Sequence, residues 1–122
     1  MDWMADLLKK VRPAVRRTEV LNESIVGLCL RPEIPCEEGF ARVTRMMEKR
    51  DSQLCFLREI SEGLCALEEE DRFLLTEHYV KRRRLPEVAA SVGLSAPEAR
   101  AKVRRALRRL KKIYGERPEP PA

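Results

Sequence analysis

The chain is short of the residues that build sheets and most catalytic sites. Aromatic residues make up 5% of its 122 positions, and there are five glycines. Strands lean on aromatic and β-branched side chains, so this shortage favours helices. There is one histidine, His78, and no glycine-rich loop of the kind that cradles phosphates. The four cysteines, Cys29, Cys36, Cys55 and Cys65, never fall into a Cys-x-x-Cys pair. Tetrahedral zinc needs closely paired ligands, so no metal and no cofactor is expected. The thiols read as small, reduced, mostly buried groups. No motif pairs a cysteine with a base, and an enzyme is not expected. No run approaches the roughly 18 apolar residues of a membrane span. The opening MDWMADLLKK has an acid at position 2 and lacks the basic-then-apolar order of a secretory signal. The expectation is a cytoplasmic protein with no membrane contact.

What the chain does have is charge, at 37% of residues, and it is unevenly placed. Residues 1–80 carry 12 basic and 16 acidic side chains, a net of −4. Residues 81–122 carry 13 basic and 4 acidic ones, a net of +9. A split of this size points to a polyanion-binding C-terminal half. The length suits one domain, or one small domain with a helical extension.

Met4, Leu7, Leu8, Val11, Val15, Leu21, Ile25 and Leu28 recur every three or four residues, the helical period. Pro13 interrupts them, so the spacing predicts either a short helix ending near Val11 and a second beginning near Pro13, or one kinked helix. Pro32 and Pro35 favour an extended link. A longer helix over about 37–64 follows, with Phe40, Val43, Met47, Leu54, Leu57 and Leu64 on a 3-4 spacing. That seam suits packing against the first helices, with a coiled-coil homodimer as the alternative. Glu68, Glu69, Glu70 and Asp71 then sit where a helix N-terminus favours negative charge, and the basic run 81–84 closes that helix.

The stretch EVAASVGLS, residues 87–95, reads as a short helix ending in a tight turn. Pro86 lies in the first turn of the helix, Gly93 tolerates a positive φ, and Ser95 can cap the next helix with Glu98 three residues on. The last helix, to about Tyr114, puts Ala99, Val103, Ala106, Leu107, Leu110 and Ile113 on one side and basic residues on the other. This is a helix-turn-helix layout. A second helix held this way can enter the DNA major groove. Glu98, Arg100, Ala101 and Arg104 are the candidates for reading base edges. Arg82, Arg83, Arg84, Ser95, Arg105, Arg108, Lys111 and Lys112 are the candidates for phosphates, which carry affinity without sequence information.

Residues 64–110 resemble region 4 of the sigma-70 family. The resemblance rests on Glu87, Val88, Ala89, Val92, Gly93, Leu94 and Ser95, and on Arg105, Ala106, Leu107 and Leu110, over about 40% of the chain. Ala99 stands where the family usually has Val or Ile. The N-terminal ADLLKKVRPAVRRTEVLNESI looks like the leading helices of small phage and prophage regulators of the RinA/ArpU type. Together the resemblances imply an all-α, stand-alone transcription regulator from a phage or mobile element, acting on promoter DNA. The expected organisation is an N-terminal helical region over 1–62, a sigma-70 region 4-like helix-turn-helix over 63–115, and a disordered tail over 116–122. Double-stranded DNA is the expected partner, with RNA polymerase and a homodimer through the N-terminal helices as further candidates. The rival readings are an adaptor docking on RNA polymerase or a sigma factor, and a nonspecific nucleic-acid-binding protein.

Overall fold

The computed structural model describes residues 2–116, so the expected tail lies outside the described residues except for Glu116. The protein is all-α. Among the described residues six α-helices follow one another: α1 (Trp3–Lys9), α2 (Val11–Cys29), α3 (Cys36–Cys65), α4 (Glu69–Leu75), α5 (Leu85–Ser91) and α6 (Ala96–Tyr114). A π turn, Thr76–Val80, continues α4. Among the described residues no helix is long and apolar enough to cross a membrane.

Asp2 starts α1 by accepting a hydrogen bond from the Met4 N–H at 2.9 Å. The i, i+3, i+4 set Met4, Leu7 and Leu8 is fully buried. Each such side chain contributes roughly 1.5–3 kcal/mol. They join Phe56, Ile60, Leu74, Leu75, Val88 and Leu110 in one core. That core therefore links both ends of the chain to the C-terminal end of α3. Pro13 does not kink anything: α2 starts at Val11, so the missing N–H falls in the first turn, where no intrahelical acceptor exists.

Helices α2 and α3 pack along each other as an antiparallel hairpin. Its inward residues match the apolar spacing only in part: Leu21, Ile25, Leu28, Val43, Leu57 and Leu64 are half-buried, whereas Val15, Phe40, Met47 and Leu54 are exposed. On α2 the buried positions are Ala14 and Thr18, while Val15 is 41% exposed. On α3 they are Gln53, Phe56, Ile60 and Gly63, while Phe40 is 75% exposed. Small and polar residues interrupt a seam otherwise lined by half-buried Leu21, Ile25 and Leu28 on α2 and Val43, Met46 and Leu57 on α3. Thr18 satisfies its hydroxyl by donating to the Ala14 carbonyl at 3.0 Å. The cysteines also depart from expectation. All four are free and exposed, because they sit on the outer faces and ends of α2 and α3.

Helix α6 meets α3 at one close approach. The Tyr114 hydroxyl donates to the Glu59 carbonyl, and the ring lies over Gly63. A Cβ on Gly63 would stand 2.6 Å from Tyr114 Cζ, inside van der Waals contact. Burial, reinforced by Glu59, pushes the Tyr114 phenol up to about 12. Gly63→Ala should destabilise the fold by about 1–3 kcal/mol, the usual cost of overpacking. Urea unfolding followed by circular dichroism checks this, and Gly63→Ala combined with Tyr114→Ala should recover part of the loss.

Candidate nucleic-acid interface

The basic half of the chain is sorted by the helices that carry it. At 100° per residue, the core face of α6 is Ala99, Val103, Ala106, Leu107 and Leu110, all buried. Glu98, Ala101, Arg105, Arg108 and Lys112 lie on the opposite line. Arg104 stands beside that line, and Arg100 sits nearer the core edge. All of these are exposed. Among the described residues none of Arg100, Arg104, Arg105, Arg108 and Lys112 joins an ion pair.

The remaining cations of α6 are occupied. Lys102 Nζ meets Glu70 Oε1 at 2.7 Å, and Arg109 Nη1 meets Asp71 Oδ2 at 2.8 Å. The acids at the start of α4 thus serve two purposes: they sit at a helix N-terminus and they hold the flank of α6. Lys111 is turned to the other flank. Its Nζ lies 3.1 Å from Asp2 Oδ1 and 5.6 Å from the centroid of the Trp3 ring. Burial opposes ionisation of Asp2, but Lys111 and the Met4 N–H outweigh it and hold the carboxyl below its usual range.

The run 81–84 is likewise divided. Glu77, buried in the π turn, takes Lys81 at 2.8 Å on one oxygen and Arg83 at 2.9 Å on the other. His78 Nδ1 is 2.9 Å from the Arg83 carbonyl, and the Lys81 N–H closes a five-residue ring on Thr76. Arg82 adopts a left-handed φ of 58° and reaches the Lys9 carbonyl at 3.4 Å. Arg84 precedes α5, is exposed, and has no ion pair among the described residues. Of the three arginines expected at phosphates, Arg84 alone stands clear of such contacts.

The turn between α5 and α6 forms as its sequence suggests. Gly93 takes φ 72°, its N–H donates to the Ala90 carbonyl at 3.3 Å, and the Leu94 N–H donates to the Ala89 carbonyl at 2.9 Å. This is the doubly bonded Schellman end of a helix. Ser95 caps α6 by accepting from the Glu98 N–H at 3.3 Å. Val88 and Ala89 on α5 and Ala99 on α6 are buried where the two helices pack. The outward cations therefore project from a helix fixed at its start by the turn and along both flanks by ion pairs. Apolar spacing alone does not find these pairs. The available signal is the spacing of Lys102 and Arg109, seven apart and off the outward line. Among the described residues no cluster of side chains suits a metal ion. Comparison with family models, curated proteins and solved structures returns no match.

Gly93→Ala meets open space, so its cost is conformational, about 1 kcal/mol, and Gly93→Asn should cost less. Thermal unfolding of the two variants checks this. At the other end of the run, Lys81 and Arg83 hold the Glu77 carboxyl below the ordinary value of 4.5. A depressed folded-state value stabilises the protein above pH 4.5 and is lost as pH falls through the folded value. Glu77→Gln should therefore be less stable than the parent at neutral pH, and the gap should close on acidification below pH 4.5.

Proposed function

We propose that the protein is a DNA-binding transcription regulator of phage or mobile-element type, reading promoter DNA through α5, the Gly93 turn and α6 as a helix-turn-helix. The observation that carries this is the outward face of α6. Arg104, Arg105, Arg108 and Lys112, with Arg100 at the edge, stay exposed and outside the ion pairs of the described residues, while the neighbouring acids are consumed by Lys102 and Arg109. A helix with its core face fixed and its outward cations unengaged suits a groove between two phosphate rails. The likeness of residues 64–110 to sigma region 4 supports the same reading.

Roles divide by position. Arg100 and Arg104, in the first half of α6, suit base edges, with Ala101 between them and Glu98 available to accept from a cytosine. Arg105, Arg108 and Lys112 suit phosphates, joined by Arg84 and the Ser95 turn at the start of the helix. Pro97 is exposed and Ala96 half-buried, so the first turn offers few hydrogen-bond donors of its own. Specificity then rests on the arginines.

Binding is measured by fluorescence anisotropy on duplex DNA from the gene's own neighbourhood, on scrambled duplex and on RNA, across a salt series. One duplex should be preferred. Arg100→Ala or Arg104→Ala should cost about 1–3 kcal/mol on it and relax the preference. Arg108→Ala should weaken every duplex alike and lower the salt slope by about 1. Lys111→Ala should act on stability through Asp2 and leave the salt slope in place. Equal affinity for all duplexes would make the protein a nonspecific binder. Absence of duplex binding at low salt, with RNA polymerase captured instead, would replace this reading by the adaptor.

A further inference from the structure

The exposed apolar residues are not scattered. Of the eight large ones among the described residues, all but Ile113 lie on α2, α3 or the link between them. Five fall on one face. The Arg50 guanidinium donates to Asn22 Oδ1 at 3.4 Å, which pins one edge of the hairpin. Val15 and Val26 share the face of Asn22 on α2, at i−7 and i+4. Met47 and Leu54 share the face of Arg50 on α3, at i−3 and i+4, and Phe40 lies two turns before Met47. Their exposures run from 40% at Met47 to 75% at Phe40.

We propose that a second copy of this chain covers this face, with the two α3 helices antiparallel about a two-fold axis at Met47. The spacing of the patch fits its own reverse. Phe40 and Leu54 are equidistant from Met47 along α3, so each Phe40 meets Leu54 of the second copy and Met47 meets itself. With Asn22 beside Arg50, Val26 lies level with Met47, so each Val26 meets its own counterpart across the α2 pair, while Val15 extends the face along each α2. Such a contact is isologous, the commonest kind in soluble dimers. The charges agree with it. The antiparallel register brings Arg58 beside Glu37 of the second copy. Both are exposed on α3, and neither joins an ion pair within its own chain among the described residues.

The register also sets the distance between the two α5–turn–α6 units. Ile60, which with Phe56 carries α3 into the core, lies thirteen residues beyond Met47. At 1.5 Å per residue the two copies of Ile60 stand on the order of 40 Å apart along the axis. One turn of DNA separates half-sites by about 34–36 Å. This last point rests on the DNA-binding reading, whereas the patch and its charges do not.

The test is the mass of the full chain in solution without DNA, by sedimentation equilibrium. The parent should show twice its 14.1 kDa chain mass. Met47→Glu sets two like charges against each other on the axis and should weaken association about tenfold or more, with the helical circular dichroism unchanged. Phe40→Lys and Leu54→Glu should each weaken it. The two together should restore it, because positions 40 and 54 of opposite copies then face each other with opposite charges. A parent that stays monomeric at its highest soluble concentration would overturn the proposal. So would a Met47→Glu protein as dimeric as the parent, or a double variant weaker than both singles. Mass is read without DNA, so failure here is distinct from failure to bind a duplex.

Discussion

Burial of Met4, Leu7 and Leu8 makes one body of segments that are far apart in sequence. A seven-residue helix is too short to persist in water alone, since nucleation costs more than so few hydrogen bonds return. Helix α1 persists because Asp2 caps it and because its three apolar side chains are fully enclosed. In return α1 packs on α2, on the π turn and on α6. It also supplies Asp2 and Trp3 to Lys111 at the far end of α6. The direction in which the outer face of α6 points is thus set partly by the first turn of the chain. Residues 63–115 share their core with α1.

The net charge of the C-terminal half says less than its geography. Lys81, Arg83, Lys102, Arg109 and Lys111 are paired, and their work is to place α4, the π turn and α6 relative to each other. Pairs of this kind, partly exposed, contribute little stability each. Their effect on geometry is larger, because several act on one helix from two flanks. They also occupy Glu70, Asp71 and Glu77, acids that would otherwise stand unpaired beside the basic segments. Among the described residues the α6 cations outside ion pairs therefore lie together on its outward side.

Much of the C-terminal half is legible in the sequence. Gly93 demands a left-handed turn, Ser95 an N-cap, and the Ala99–Val103–Ala106–Leu107–Leu110 stripe a single buried face. Each signal is local, so a short window suffices. The hairpin is less legible for the opposite reason. Its buried positions include Thr18 and Gln53, residues that no apolar count selects. Their inward position depends on how α2 lies across α3, a contact between segments tens of residues apart. Gly63 is inward because Tyr114, fifty-one residues later, lies on it. The division of the arginines is equally non-local. Arg83 and Arg84 are neighbours in sequence, yet only Arg83 reaches Glu77, because the π turn brings that carboxylate toward it.

The polar content of the hairpin has a structural consequence. A seam of leucines alone would be satisfied in several registers, whereas buried polar residues penalise those that leave them unmatched. Thr18 spends its hydroxyl on its own helix, and Arg50 reaches across to Asn22. A slip of α2 by one heptad would part Arg50 from Asn22 and move Gln53 against different neighbours. The same register decides which apolar residues remain outside. With Asn22 beside Arg50, Val15 and Val26 flank the edge that carries Phe40, Met47 and Leu54, and five scattered side chains become one face. The apolar face of the hairpin thus follows from the register in which α2 lies along α3, which the Arg50–Asn22 contact marks at its edge.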